Sequence, residues 1–314
     1  MEIIKDSDPF PDLRVSIGKL KLQNPVMTAS GTFGYAREFA GLMNLHRLGG
    51  VIVKGISLEP RHGNPPPRIV ETACGMLNAI GLENVGVDRF IQEKVPYLKG
   101  LGIPVVVNIL GDSIEEYREV TDRLAGVDGV DGLEVNISCP NVKKGGVAFG
   151  TNPDMAAAVT RAVVDGSDVP VMVKLSPNVS DIAQVAEAVE DGGADGVSLI
   201  NTLIGMAINL ETKRPELANV IGGLSGPAIK PVALRMVYQV AQRVSIPVIG
   251  IGGIDSARDA LEFMVAGATA VQVGTANFIN PRVSEEIVEG IGEYVKKEKL
   301  SSVRDIIGSL KTGA

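Results

Sequence analysis

Pro170-Val-Met-Val-Lys-Leu-Ser176, a helical stretch from Ser180 to Gly193, and Gly196-Val-Ser-Leu-Ile-Asn-Thr202 make up the passage whose reading decides the fold. The two outer runs are almost wholly apolar, with the length and β-branched content of strands buried on both faces. Between them Ile182, Val185, Ala186 and Val189 recur at helical spacing. Ser180 is placed to cap that helix, and Gly192-Gly193 ends it. Strand, helix and strand of this kind predict a right-handed parallel unit.

Read outward from there, the pattern repeats. Apolar runs occur at 24–30 (NPVMTAS), 49–56 (GGVIVKGI), 103–110 (IPVVVNIL), 132–138 (GLEVNIS), 246–253 (IPVIGIGG) and 270–276 (AVQVGTA), which with the first two makes eight. A second helix carries Ala260, Leu261, Met264 and Val265, with Ser256 as its cap and Gly267 beyond its end. Eight units, with no GxGxxG opening the first, favour an α/β fold of the closed (β/α)8 TIM-barrel kind over an open doubly wound sheet. Alternating Leu13, Val15 and Ile17, then Leu20 and Leu22 around Gly18, predict an N-terminal β-hairpin that floors the barrel. Two stretches exceed a minimal barrel, 57–86 after strand 2 and 203–225 after strand 6. Insertions that follow strands lie on the catalytic face, so both are expected to be loops covering substrate.

The 314 residues are 45% hydrophobic, and 37 glycines suit tightly turned α/β units. A net charge of -7 with both signs interspersed argues against nucleic acid or an anionic membrane as partner. Met1 to Phe10 carries four charges where a secretory leader needs an apolar stretch, and no apolar run reaches the roughly 18 residues of a membrane span. A cytoplasmic location is the expectation. Cys74 and Cys139 are expected to be free thiols, Cys74 an inert buried one.

Polar residues break the apolar runs mainly near their C-terminal ends: Ser30, Lys54, Asn108, Asn136, Lys174, Asn201, Thr202, Gly252, Gly253, Gly274 and Thr275. In a barrel these ends converge on one mouth. Two lysines there imply an anion or an electron-rich ring. Asn78, Asn108, Asn136 and Asn201 offer donors and acceptors that suit an imide-like edge, so the ligand is read as a small, flat, polar heterocycle. The glycines after the seventh and eighth runs, with the helix start near Ser256, read as a phosphate cradle.

Cys139 stands just past the strand at 132–138. It could be nucleophile, metal ligand or base. His46 and His62 are the only histidines, neither at a strand end, and no CxxC or HExxH spacing occurs, so no metal is expected and the base role remains. Pro140 fixes the turn, and the glycine-rich residues 142–150 read as a lid.

These residues resemble the class 1 dihydroorotate dehydrogenases, and the match spans nearly the whole chain. It is carried by Asn24-Pro-Val-Met-Thr-Ala-Ser-Gly-Thr-Phe-Gly34, Val53-Lys-Gly55, Asn78-Ala-Ile-Gly-Leu82, Asn136-Ile-Ser-Cys-Pro-Asn141, Val173-Lys-Leu-Ser-Pro177, Asn201-Thr202, Gly222-Gly-Leu-Ser-Gly-Pro227 and Ile251-Gly-Gly253. The resemblance implies that residues 1–314 form one FMN-binding barrel domain that oxidises dihydroorotate to orotate in pyrimidine biosynthesis. Cys139 is then the catalytic base, where the membrane-associated class has serine. Lys54, Asn78, Ala79, Ile80, Gly81, Leu82, Asn136, Asn201 and Thr202 would hold the pyrimidine. Ser30, Lys54, Gly55, Asn108, Asn136, Lys174, Ile200, Gly226, Gly252, Gly253, Gly274 and Thr275 would hold FMN, the last four around its phosphate.

The Asn-Ala-Ile-Gly-Leu form of the substrate loop is most similar to subclass B, which passes electrons to NAD through a separate subunit. FAD and a 2Fe-2S cluster would then belong to that iron-sulfur flavoprotein partner, in a heterotetramer built on a homodimer of this chain. Other readings are a flavin barrel acting on uracil-type pyrimidines, a non-flavin phosphate-binding isomerase or synthase, and a barrel serving only as scaffold.

Overall fold

A computed structural model describes residues 11–138 and 147–313. The N-terminal decapeptide, Cys139, Pro140 and most of the 142–150 segment read as a lid lie outside the described residues. Eight parallel strands form the central sheet: Val26–Thr28, Val51–Ile56, Val105–Ile109, Gly132–Asn136, Val171–Lys174, Gly196–Leu199, Val248–Ile251 and Ala270–Val273. Each pairs with its sequence neighbour and the eighth pairs with the first, Val271 opposite Val26. The first and second strands meet through a parallel bridge between Met27 and Gly50. There Thr28 stitches the seam, its hydroxyl accepting from the Ile52 amide at 3.1 Å. The barrel is a (β/α)8 barrel, as its sequence periodicity predicts.

Its first unit departs from the ideal. After Val26–Thr28 come two 3-10 turns, Arg37–Phe39 and Leu45–Arg47, instead of a full helix. The C-terminal helix Val283–Lys297 packs over that strand, and Arg47 joins the two through ion pairs to Glu285 and Glu289.

The hairpin, Val15–Ile17 and Leu20–Leu22, turns at Gly18 with φ +54°. A Cβ at Gly18 would lie 2.5 Å from Asp195 and one at Gly196 would lie 2.9 Å from Ile17, so the hairpin presses on the N-terminal edge of the sixth strand. It is the floor that the alternation predicts.

The two insertions are not separate loops. Ile69–Thr72, Gly75–Asn78, Leu203–Gly205 and Gly222–Ser225 form one antiparallel sheet, in the order 203–205, 222–225, 75–78, 69–72. Leu77, Ala79 and Leu217 give it a small core of its own. Two further expectations are corrected. Cys74, at the turn between two of these strands, is exposed. The helix Ile182–Asp191 is capped by Asp181, whose carboxylate accepts from the amides of Ala183 and Gln184 at 3.0 and 3.3 Å. Ser180 lies one residue too early to reach them.

That cap is testable. Asp181→Ala should lower stability by about 1 kcal/mol in urea unfolding, while Ser180→Ala leaves the midpoint unchanged. Equal losses for both would contradict the assignment.

Candidate active site

The C-terminal strand ends enclose a cavity of about 320 Å³. Its lining brings together Ser30, Lys54, Gly55, Asn78, Ile80, Gly81, Leu82, Asn108, Asn136, Lys174, Ile200, Asn201, Thr202, Gly226, Gly252, Gly253, Gly274 and Thr275. Of the expected site residues that are described, Ala79 alone stays out. It is wholly buried in the satellite core, where its amide donates to the Arg68 carbonyl at 2.8 Å. Alternation along the strand end turns it away from the mouth while Asn78 and Ile80 face it.

Local geometry explains how each side chain arrives. The second strand shifts register between Val53 and Ile56, a bulge that re-aims Lys54 into the cavity. Gly55 sits where a Cβ would lie 2.8 Å from Asn108 Oδ1. Gly223 is needed more strictly, because a Cβ there would lie 1.9 Å from Thr202 Oγ1. Through it the insertion sheet rests on the end of the sixth strand, and Asn78 Nδ2 donates to the Gly223 carbonyl at 3.3 Å.

The asparagines are joined in series. Glu134, fully buried inside the barrel, accepts from Asn108 Nδ2 at 2.7 Å. Asn108 Oδ1 accepts from Asn136 Nδ2 at 3.3 Å, and Asn136 Oδ1 accepts from the Ser138 hydroxyl at 3.1 Å. Ser138 Oγ accepts from Asn201 Nδ2 at 2.8 Å, and Asn201 Oδ1 accepts from the Thr202 amide at 2.8 Å. The chain of bonds runs from the barrel interior to the insertion sheet, and it passes through the residue just before Cys139. Tyr117 Oη donates to the Asn136 carbonyl at 2.7 Å, and its ring meets Phe149 edge-on at 6.0 Å.

The sequence reading did not select Glu134, Ser198, Gln272 or Ser138, nor Arg68, which lines the mouth beside its ion pair with Glu83. A signal for the buried set existed. Glu134 lies two residues before Asn136, Ser198 two before Ile200 and Gln272 two before Gly274, so each shares the inward face of its strand with a selected position.

At the seventh and eighth strands the backbone forms a cradle. Gly252 and Gly253 have φ +126° and +70°, and a Cβ on Gly253 would lie 2.6 Å from Lys230 Cβ, so only glycine fits the turn. Asp259 ties it down: its carboxylate accepts from the Asp255 amide at 3.2 Å, from Ser256 Oγ at 2.6 Å and from the Lys230 ammonium. Burial alone would raise the Asp259 carboxyl, but the hydrogen bonds from Lys230 and Ser256 win and hold it at about 2. Asp255 is pushed the other way, first by its hydrogen bond with Asp259 and then by burial. Glycine turns and two helix starts at Ala257 and Ala276 fit a phosphate group. The floor of Lys54, Asn108, Asn136 and Lys174 fits the polar edge of a flat ring.

Because the Asp259 carboxyl is depressed in the folded state, its contribution is present above about 3.8 and is lost as pH falls toward about 2. Asp259→Ala should therefore lose about 2 kcal/mol at pH 7. The gap to wild type should narrow between pH 4 and 2 in pH-dependent denaturation. A constant gap would show that the carboxylate's charge is not what holds the turn.

The family model described as dihydroorotate dehydrogenase matches residues 12–295. A protein of Geotalea daltonii named dihydroorotate dehydrogenase B (NAD(+)), catalytic subunit, is 59% identical over 301 residues, 96% of this chain and 99% of its own length. One of the same name from Thermoanaerobacter is 56% identical with the same coverage. The dihydroorotate dehydrogenase of Eimeria tenella, solved with ferulenol, superposes with a TM-score of 0.80 over 98% of this chain and 90% of that one at 24% identity, which speaks for the fold. The chain belongs to the dihydroorotate dehydrogenase family, and within it is most similar to the catalytic subunits of the NAD(+)-linked B type.

Proposed function

We propose that this chain oxidises dihydroorotate to orotate in pyrimidine biosynthesis, as the FMN-binding catalytic subunit of an NAD-linked enzyme. The observation that carries the reading is the hydrogen-bonded series Asn108, Asn136, Ser138, Asn201 and Thr202, opening on a cavity that also holds Lys54 and Lys174. Bound FMN supplies the acceptor for the hydride that leaves C6 of the substrate.

Everything else is done by the chain. Ser30, Gly55, Asn108, Asn136, Lys174, Ile200 and Gly226 would hold the flavin, with Gly252, Gly253, Gly274 and Thr275 around its phosphate. Lys54, Asn78, Ile80, Gly81, Leu82, Asn136, Asn201 and Thr202 would hold the pyrimidine. The asparagine amides offer both donors and acceptors, so they can fix the ring in one orientation, and orientation of this kind is worth several kcal/mol of barrier. Cys139, following Ser138 in sequence, takes the proton from C5 as a thiolate and becomes a thiol. Lys174 would hold the flavin and place a positive charge beside it, which would stabilise negative charge there.

Among the described residues the main core is one continuous cluster reaching from Leu13 to Ile306, which supports a single barrel domain. Electrons go on to NAD through a partner subunit, which we read as the iron-sulfur flavoprotein holding FAD and 2Fe-2S. A homodimer of this chain would form the centre of the assembly. Ile204, Met206, Ile208 and Leu210 stand exposed along one insertion segment, more apolar surface than an isolated subunit needs. No helix among the described residues is long and apolar enough to cross a membrane, in keeping with a cytoplasmic enzyme.

Cys139→Ala should keep bound FMN and orotate affinity, yet slow bleaching of the flavin by dihydroorotate about 10²- to 10⁴-fold in stopped flow. Cys139→Ser should fall between and gain rate at high pH, because a hydroxyl is the weaker acid. Near wild-type bleaching by the alanine variant would sink the base assignment. Purification without flavin absorbance would sink the cofactor.

A further inference from the structure

Glu134 lies beneath the cavity with its side chain wholly shut off from water. One oxygen, Oε1, accepts from Ser198 Oγ at 2.8 Å and Gln272 Nε2 at 2.6 Å. The other accepts from Asn108 Nδ2 at 2.7 Å and stands 4.0 Å from Lys174 Nζ. Lys174 is 6% exposed, and among the described residues no other carboxylate comes within ion-pair distance of it. A buried ammonium without a counter-charge is strongly disfavoured, so this pair belongs together.

The separation is informative. Three neutral donors from three different strands hold the carboxylate where it is, so it attracts the ammonium without closing a hydrogen bond on it. Lys174 thus keeps its N–H donors for the cavity it lines. With both groups out of water, screening is weak and the charges act over the whole cavity floor.

We propose that Glu134 is a positioning residue that holds the Lys174 ammonium under the ligand and, through its own negative charge, sets the reduction potential of the flavin bound there. The inference rests on the FMN reading above. It assigns to Glu134 a readout that packing alone would not move. Removing the negative charge leaves a net positive floor, which favours the reduced, negatively charged ring.

Glu134→Gln is the test, because it keeps shape and three of the hydrogen-bonding opportunities while removing the charge. Gln272 can turn to meet it, since its Oε1 is buried and has no hydrogen-bond partner among the described residues. The potential of bound FMN is read at one fixed pH for every variant. Reduction should become easier by about tenfold in equilibrium constant, about 30 mV for a two-electron couple. Ser198→Ala removes one neutral donor from the same carboxylate and should stay within about twofold of wild type. Lys174→Gln should move the potential the opposite way, and it decides the matter alone should Glu134→Gln not fold. An unchanged potential in flavin-loaded Glu134→Gln, equal rises in Glu134→Gln and Ser198→Ala, or no fall in Lys174→Gln would each overturn the inference. A chain that takes up no FMN under any reconstitution would overturn the cofactor reading itself, a separate failure.

Discussion

A carboxylate can only accept hydrogen bonds, and the orientation of the whole cavity floor follows from that fact about Glu134. Because its Oε2 accepts from Asn108 Nδ2, the Asn108 carbonyl must point the other way, toward Asn136 Nδ2. Asn136 Oδ1 then faces Ser138, whose remaining acceptor position meets Asn201 Nδ2. An amide at the head of the series would allow either sense. With an ionised group there, each side chain presents a fixed donor or acceptor to the cavity, which is what recognition of a heterocycle with its own fixed pattern requires.

The barrel makes such a group tolerable. Unpaired, a buried carboxylate would cost several kcal/mol, and the compensation comes from residues on four other strands: Asn108, Lys174, Ser198 and Gln272. Only closure of the sheet brings the eighth strand, with Gln272, to the same point as the third and fourth. Fold and site are therefore not separable here. Loss of closure would strand the charge, and loss of the charge would release the orientation of the amides.

Much of this was legible in the sequence, for a physical reason. Parallel strands buried on both faces are written as apolar runs, so a polar residue near a run's end stands out; Lys54, Asn108, Asn136, Lys174 and Asn201 were found that way and all reach the cavity. Glu134, Ser198 and Gln272 are harder to read because they sit deeper in their strands, where a polar residue looks like an interruption; their shared face shows only when the period of two is followed inward. Ala79 shows the converse: it belongs to the contiguous motif Asn78 to Leu82, but alternation turns its side chain into the satellite core. Ser180 and Asp181 are both capping residue types and adjacent, so composition alone does not separate them, and the geometry at Asp181 does.

The insertion sheet was beyond such reading, because pairing between its halves is not local. Asn78 and Gly223 are 145 residues apart, and nothing in either segment names the other. Their union depends on close backbone approach at glycine: a Cβ on Gly226 would lie 2.6 Å from Gly75 Cα, and one on Gly75 would lie 2.0 Å from the Ser225 carbonyl oxygen. Gly226 borders the phosphate cradle, and Thr275 at the eighth strand donates to Ser225 Oγ at 2.8 Å. The segment that carries Asn78 is thus bonded through one sheet to the opposite rim of the cavity. Two ligands that share this mouth would therefore be held by a single continuous wall.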